Sequence, residues 1–253
     1  MYVDTKQRLD TADAISDSGF APRTVGRYHG TRAPRHVDDT AWTDYLAAAR
    51  TRIERFDSHE VLFHEDDTAD HLYEVASGSI MLYRLLADGR RQVVDILSAG
   101  DLFGMSVTGV YDCSAETLVP SDVRVLDKRE IERSADLQNH VNRCLMGRIE
   151  ALHSHAVLLG RKSAAERVAS FLMRFVPNRG MIGCTGPKAA GGDDKVVVLR
   201  MTRQEIADYL GLTIETVSRV LSDLKRRGII SIEKNDRIRL PDVCRVCRLT
   251  GIH

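Results

Sequence analysis

Apolar residues between Phe56 and Asp127 occur in short runs of Val, Ile, Leu and Tyr, which residues that favour turns separate. The turn positions are Gly78, Asp88-Gly89, Gly100 and Gly104. Short strands at such regular spacing are typical of closed or double-sheet antiparallel folds. The pattern therefore predicts a small antiparallel barrel or jelly roll over this region.

A helical period replaces the strand pattern from Ile131 to Leu159. Its apolar positions step by 4, 3, 4 and 3 residues, and they are Leu145, Ile149, Leu152, Ala156 and Leu159. This spacing is typical of a coiled-coil seam, so we predict a long helix that joins two copies of the chain. The alternative is a stripe that packs against the core of its own chain, because two heptads are few for a coiled coil.

The N-terminal region divides into two parts. Residues 1–37 lack a sustained apolar period and are rich in Asp, Ser, Thr, Gly, Pro and Arg, so we predict a largely disordered extension. Residues 38–55 carry apolar side chains at helical spacing and predict an amphipathic helix that leads into the first domain. Its apolar positions are Trp42, Tyr45, Leu46 and Ile53.

Residues 201–228 predict two short helices joined by a glycine turn. Thr202 and Glu205 stand three residues apart, as a capping box requires, and mark the start of the first helix. Gly211 permits a tight turn after it, and Thr213 is a good cap for the second helix. This is the layout of a helix-turn-helix, in which the second helix enters the major groove of DNA.

The second of these helices has two chemically different faces. Its apolar positions at helical spacing are Val217, Val220, Leu221 and Leu224. Glu215, Ser218 and Arg219 project together from the other face near the helix start. An Arg can donate two hydrogen bonds to a guanine, a Glu can accept one from a cytosine, and a Ser can address either strand. We therefore predict that these three side chains read base edges.

The segments around the helix-turn-helix predict a wing. Residues 177–194 are rich in Gly, Pro and Asn and predict a loop, and residues 195–200 then predict a short strand. Residues 229–232 and 237–240 flank an Asn-Asp turn and predict a β-hairpin. Lys234, Arg237 and Arg239 on this hairpin are either phosphate contacts or a solvated face.

The segment MTRQEIADYLGLTIETVSRVL resembles the recognition segment of the Crp/Fnr family of bacterial transcription regulators, and its Glu-x-x-Ser-Arg version resembles the Fnr and FixK branch. The resemblance implies half-sites of the TTGAT kind. Arg219 would contact the guanine, Glu215 the paired cytosine, and Ser218 a nearby thymine. The candidate phosphate contacts are Thr202, Arg203, Thr213 and Thr216.

The strand region HLYEVASGSIMLYRLLADGRRQVVDILSAGDLFG is similar to the β-roll sensor domain of the same family. Family members that bind cyclic nucleotides carry a Gly-Glu pair for the ribose and an Arg-Ser or Arg-Thr pair for the phosphate. The matching positions here are Gly104-Met105 and Cys113-Ser114. Both charged ligands are absent, so we do not expect a cyclic nucleotide to bind.

The cysteines do not suit an iron–sulfur cluster, which needs about four converging thiolates. No Cys precedes Cys113, and only Cys244 and Cys247 form a C-x-x-C pair, so neither a cluster nor a metal site is expected. Cys184, in the predicted loop, is the candidate redox thiol. Haem stays an open alternative, because some members of the family bind haem in the β-roll, although no spacing here dictates an axial ligand. The available histidines are His59, His64, His71, His140, His153 and His155.

Charge divides the chain into two halves. Residues 161–253 contain 18 Lys or Arg against 10 Asp or Glu, whereas residues 1–160 contain 18 against 26, so a net charge of zero conceals a basic half. A basic half is the footprint expected of a phosphate-binding surface. No apolar run has the ~18 residues that a membrane span needs, and a signal peptide is absent, so a cytoplasmic protein is expected.

We therefore predict an α+β protein with an N-terminal β-roll, a long dimerisation helix and a C-terminal winged helix-turn-helix. The boundaries are an extension (1–37), a sensor domain (38–130), a dimerisation helix (131–160), a DNA-binding domain (161–241) and a tail (242–253). We find no P-loop, metal triad or nucleophile elbow, so an enzyme is not expected. The resemblance implies a homodimeric activator that contacts RNA polymerase and acts in low-oxygen or nitrogen-oxide metabolism. The alternative is a regulator of the same fold that haem or a thiol gates.

Overall fold

A computed structural model describes residues 40–47, 51–176, 179, 193–234 and 236–251 of the chain. The predicted extension over residues 1–37 and the loop that contains Cys184 lie outside the described residues. Within the described residues, none of the helices has both the length and the apolar character needed to span a membrane.

Eight antiparallel strands form the first domain. They are β1 (Arg52–Phe56), β2 (Val61–Phe63), β3 (Leu72–Ser77), β4 (Ser79–Leu85), β5 (Arg91–Ser98), β6 (Leu102–Phe103), β7 (Ser114–Thr117) and β8 (Ser121–Leu126). One sheet has the order β1-β8-β3-β6 and the other β2-β7-β4-β5. Side chains of both sheets, such as Val75 and Val123 from one and Ile80 and Ala115 from the other, share one fully buried core. This arrangement confirms the predicted β-roll.

Gly78 turns the chain from one sheet to the other between β3 and β4. Its φ angle is +95°, a conformation that costs little only in glycine. A Cβ atom at this position would lie 2.1 Å from the Ser121 hydroxyl oxygen, and that hydroxyl accepts a hydrogen bond from the Ser79 backbone N–H at 3.1 Å. The two sheets therefore meet at a point that no other residue would fit.

The predicted N-terminal helix is shorter than its pattern suggested. Helix α1 spans Thr40–Ala47, and the segment from Arg52 belongs to β1 instead. Ile53, predicted to lie on the apolar side of a helix, pairs with Arg124 of β8 and is 53% exposed. The helix prediction was wrong here because the backbone pairing of a sheet edge outweighed a weak helical period. Trp42 itself is buried and stacks on His140 of a later helix at a ring distance of 4.0 Å.

The helical region after the β-roll begins with a break. Helix α2 spans Lys128–Arg133 and helix α3 spans Ala135–Arg161. Ser134 separates them because its side chain accepts a hydrogen bond from the Leu137 backbone N–H, which starts a new helix. Helix α3 has 27 residues, and at the usual rise per residue it is ~40 Å long.

The described part of the second domain combines four helices and a small sheet. Its elements are α4 (Ala164–Met173), β9 (Lys195–Val198), α5 (Arg203–Leu210), α6 (Ile214–Arg226), β10 (Ser231–Lys234), β11 (Arg237–Leu240) and α7 (Val243–Arg248). The strands form one antiparallel sheet in the order β10-β11-β9, which is the predicted wing. Helix α7 occupies the segment predicted as a tail. Val243, Val246 and Cys247 of α7 are buried in the core of this domain.

The two domains touch through β5 and α5. The Arg91 Nε atom donates to the Asp208 carboxylate at 2.9 Å. Next to this contact, His155 of α3 is buried with its ring 4.3 Å from the ring of Tyr209 of α5. Neither ring nitrogen has a hydrogen-bond partner among the described residues. Burial, with a smaller contribution from the charge of Arg174, lowers the pKa of His155 from 6.5 to about 4.

We expect this histidine to make stability depend on pH. As the pH falls from 6.5 to about 4, the unfolded chain takes up a proton on this ring while the folded chain does not. The free energy of unfolding should therefore drop by roughly 3 kcal/mol between pH 6.5 and about 4. Below that range, His155 should cause no further loss of stability. Urea denaturation at pH 7 and pH 4.5 measures this effect. His155→Phe should flatten the profile, whereas the same change at exposed His153 should not; equal profiles for both variants would contradict the assignment.

Candidate nucleic-acid interface

Helix α5 starts with the capping box that the sequence predicts. The Thr202 backbone N–H donates to the Glu205 carboxylate at 2.6 Å, and the Glu205 backbone N–H donates to the Thr202 hydroxyl at 3.2 Å. Thr202 is exposed, and Arg203 is half-buried. Burial lowers the pKa of Arg203 from its usual value. Both side chains therefore lie at the helix N-terminus, a location that favours phosphate binding.

The turn between α5 and α6 is compact and fixes their angle. Gly211 ends α5 in the left-handed conformation, with φ of 58°, and a Cβ atom there would lie 3.3 Å from Leu159 of α3. Thr213 then caps α6, because its hydroxyl accepts from the Thr216 backbone N–H at 3.2 Å. The hydroxyl oxygens of Thr213 and Thr216 are 3.1 Å apart, so these two candidate phosphate contacts share one corner of the helix start.

Helix α6 presents the predicted residues to solvent. Its inner side buries Val217, Leu221 and Leu224. On the outer side, Glu215, Ser218 and Arg219 are all exposed. The structure therefore brings the three predicted base-reading side chains together on one free surface.

The charges on this surface suit base recognition. Hydrogen bonds from its own backbone N–H and from the Thr213 hydroxyl lower the pKa of Glu215, so this carboxylate remains an acceptor at neutral pH. Among the described residues, no ion pair involves Arg219. By contrast, Arg226 at the far end of α6 pairs with Asp223 at 2.5 Å. The guanidinium of Arg219 is thus available to a partner outside the chain.

The wing contributes less than its sequence suggested. Arg239 Nε donates to the Asp194 carboxylate at 2.9 Å, so its charge is already balanced within the protein. Arg237 is half-buried, and the Lys234 side chain lies outside the described residues. Of the three wing cations, Arg239 is a weaker candidate for phosphate contact than its sequence position implied.

The predicted seam on α3 is only partly exposed, because Leu145, Ile149 and Leu152 also line a cavity against the β-roll. The helix buries Leu137, Ala151, His155 and Leu158 against the protein. Of the seam residues, Ile149 and Leu152 are 42% and 41% exposed, and Ala156 is also exposed. Leu145 and Leu159 at the two ends are half-buried. Because Leu159 also packs against the core of the second domain, the exposed part of the stripe is Ile149, Leu152 and Ala156.

A cavity of about 320 Å³ lies between the β-roll and α3. Gly104, Met105 and Cys113, the positions that match nucleotide ligands of relatives, line this cavity. Arg84 and Arg148 also line it, and sequence reasoning missed both because no motif links a strand to a distant helix. The Arg84 Nε atom donates to Glu65 at 2.8 Å, and the Arg148 Nε atom lies 3.3 Å from an Asp95 oxygen. Each cation is thus already paired with a carboxylate.

The same cavity offers little to the haem and thiol alternatives. None of the described residues that line it is a histidine. Burial raises the pKa of the Cys113 thiol to about 12, which disfavours the reactive thiolate. Cys247 is buried in the second domain, and the Cys244 sulfur accepts from Arg179 at 3.0 Å. The candidate redox thiol Cys184 lies outside the described residues.

Comparison with known proteins agrees with this geometry. The model of a Crp-like helix-turn-helix domain matches residues 166–249, and that of a cyclic nucleotide-binding domain matches residues 53–136. The nitrogen fixation regulation protein FixK of Bradyrhizobium diazoefficiens is 40% identical over 181 residues, which cover 70% of this chain and 73% of that protein. The transcriptional activatory protein AadR of Rhodopseudomonas palustris is 37% identical over 182 residues, with coverage of 70% and 73%.

Among solved structures, that of FixK2 from Bradyrhizobium japonicum aligns with a TM-score of 0.68 and 32% identity, over 79% of this chain and 96% of that chain. A β-roll followed by an exposed helix-turn-helix defines a DNA-binding transcription regulator. The chain belongs to the Crp/Fnr family and to its FixK-like branch. Because the relatives are named as transcription regulators, the expectation that the chain is not an enzyme is confirmed.

Proposed function

We propose that this regulator binds palindromic DNA of the form TTGAT-N4-ATCAA as a homodimer. The observation that carries the proposal is the joint exposure of Glu215, Ser218 and Arg219 at the start of α6. Arg219 donates to the guanine of each half-site, Glu215 accepts from the paired cytosine, and Ser218 lies near a thymine. Each well-placed contact contributes roughly 1–3 kcal/mol of discrimination against the wrong base.

Contacts to the DNA backbone supply the affinity in this proposal. Thr202 and Arg203 at the start of α5, with Thr213 and Thr216 at the start of α6, meet phosphates on either side of the major groove. Both pairs lie at helix N-termini, where backbone N–H groups and the helix dipole favour anions. Binding should therefore weaken strongly as the salt concentration rises.

The dimer forms through α3. Leu145, Ile149, Leu152, Ala156 and Leu159 pack against their counterparts in a second copy. The exposure of Ile149, Leu152 and Ala156 in the single chain supports this assembly, because exposed apolar side chains on a long helix are stabilised by a partner. Two-fold symmetry then places the two α6 helices one turn of DNA apart, ~34–36 Å, which suits a palindrome.

The cellular role rests on the relatives. We infer an activator that contacts RNA polymerase in the cytoplasm, because one relative is named as a transcriptional activatory protein. The FixK relative is named as a nitrogen fixation regulator, which supports a link to low-oxygen or nitrogen-oxide metabolism. The proposal includes no cofactor, because the arginines of the β-roll cavity are already paired with carboxylates.

Fluorescence anisotropy of the full chain tests the proposal. At one fixed salt concentration, a labelled duplex with TTGAT-N4-ATCAA should bind at least ~10³-fold more tightly than one with both half-sites scrambled. A duplex with only one intact half-site is the matched control. The protein should bind it with an affinity between those for the intact and the fully scrambled duplexes. Equal affinities for all three duplexes would refute the proposed specificity.

A further inference from the structure

Three potential metal ligands converge where the β-roll meets helix α5. The Nδ1 atom of His59 lies 3.4 Å from a Glu116 oxygen and 3.4 Å from a Glu205 oxygen. All three ligand atoms lie within 4.8 Å of one another. His59 and Glu116 belong to the first domain, whereas Glu205 belongs to the helix-turn-helix.

The distances fit coordination better than direct hydrogen bonding. Protein hydrogen bonds between nitrogen and oxygen usually span ~2.7–3.2 Å, and one Nδ1 atom cannot point at two carboxylates at once. Two ligands that each lie ~2.1 Å from a tetrahedral zinc ion are ~3.4 Å apart. The separation of His59 from each carboxylate matches one edge of such a tetrahedron.

Neighbouring groups hold each carboxylate in place. The second oxygen of Glu205 accepts from the Thr202 backbone N–H at 2.6 Å. The second oxygen of Glu116 lies 3.5 Å from an Arg91 nitrogen. Each carboxylate therefore has one oxygen fixed by the protein and the other directed at His59. Metal sites typically orient their ligands in this way.

Burial and charge also favour a cation here. The side chains of Glu116 and Glu205 are only 13% and 4% exposed, whereas that of His59 is 50% exposed and leaves an entry path. The positively charged side chain at this contact is Arg91, which also forms an ion pair with Asp208. Arg91 pairs with Glu116 and Asp208 but not with Glu205, so these three carboxylates and one guanidinium carry a net charge of about −2 when His59 is neutral. Buried negative charge of this size is costly without a counter-ion.

A second cluster of potential metal ligands, in the second domain, is already neutralised by an arginine. Asp193, Asp242 and Cys244 also lie within 4.8 Å of one another. There, however, Arg179 donates to both oxygens of Asp193, at 2.5 and 2.7 Å, and to the Cys244 sulfur at 3.0 Å. Arg179 therefore already binds two of the three groups and neutralises Asp193, so this cluster is not a candidate.

We propose that His59, Glu116 and Glu205 bind a zinc ion, with water as the fourth ligand. One imidazole and two carboxylates, with an open position, suit this metal. Because the ligands come from both domains, the bound ion ties α5 to the β-roll. Zinc would thereby fix the orientation of the DNA-reading helix relative to the sensor domain.

Zinc binding to the full chain tests this site. Protein stripped of metal is titrated with zinc against a chromophoric chelator, and His59→Asn and Glu116→Gln are compared with the wild type. Asn accepts the positive φ of 61° at position 59. Glu205 is left intact because it caps α5. Each variant should bind one zinc equivalent fewer, or bind it at least ~10-fold more weakly.

The control is His64→Asn, the same change at an exposed histidine of the β-roll, which should bind zinc as the wild type does. Saturating zinc should also raise the melting temperature of the wild type and of His64→Asn more than that of His59→Asn. Melting curves in chelator establish that every variant is folded. Unchanged zinc stoichiometry and affinity in both site variants, or no zinc bound by the wild type, would overturn the proposal.

Discussion

Arg219→Ala is expected to remove most or all of the preference of the protein for TTGAT-type sites while leaving non-specific DNA binding largely intact. Its guanidinium is exposed on α6 and has no ion-pair partner among the described residues, so the mutation leaves the fold unchanged. A bidentate contact to guanine is worth roughly 1–3 kcal/mol, and a dimer makes it twice. The loss in specific affinity should therefore be ~30-fold to ~10⁴-fold.

Anisotropy titrations at one salt concentration measure the affinities for the specific and the scrambled duplex, and the ratio of these affinities gives the preference. Arg219→Lys keeps the charge but lacks the planar fork, so it should keep non-specific affinity and still lose the preference. Arg226→Ala, at the far end of the same helix, is the matched control and should retain the preference. If Arg219→Ala keeps the wild-type ratio of affinities for the specific and scrambled duplexes, another residue reads the guanine.

The helix-turn-helix was predictable because its signals are local. The capping box of Thr202 and Glu205, the left-handed Gly211 and the cap Thr213 each act within four residues of the chain, and all three form as the sequence predicts. The exposure of the predicted base-reading face follows from the same helical period that buries Val217. Local chemistry is enough here because the motif is defined by two short helices and one turn.

The contacts between domains were not predictable from the sequence. Arg91 and Asp208 are 117 residues apart, and the site of His59 and Glu205 likewise spans both domains. Nothing in the spacing of such residues shows that folding brings them together. Ile53 shows the same limit on a smaller scale, because the partner strand that turned a predicted helix into β1 lies far along the chain.

Helix α5 lies between the β-roll and helix α6. Helix α5 rests on β5, whereas the outer side of α6 remains open. Gly211 lies next to Leu159, so the turn between these two helices also contacts the C-terminal end of α3. These contacts join α6, through α5 and the turn, to both the β-roll and α3 within the single chain.

The second large effect is expected from the α3 stripe. The double change Ile149→Glu and Leu152→Glu places four negative charges in the proposed seam of a dimer, where they repel one another and lose water. The chain should then be monomeric at micromolar concentration, as sedimentation velocity would show. A monomer engages one half-site only, so affinity for the palindromic duplex should fall by ~10²–10⁴-fold.

The matched control is Ser154→Glu, which adds a negative charge to an exposed polar position on another side of the same helix. It should remain dimeric and bind the palindrome normally. Circular dichroism distinguishes loss of assembly from loss of folding, because a folded monomer keeps the helical signal. If the double variant still sediments as a dimer, the seam does not join the two chains. If it is monomeric yet binds the palindrome fully, the two half-sites are not read by paired α6 helices.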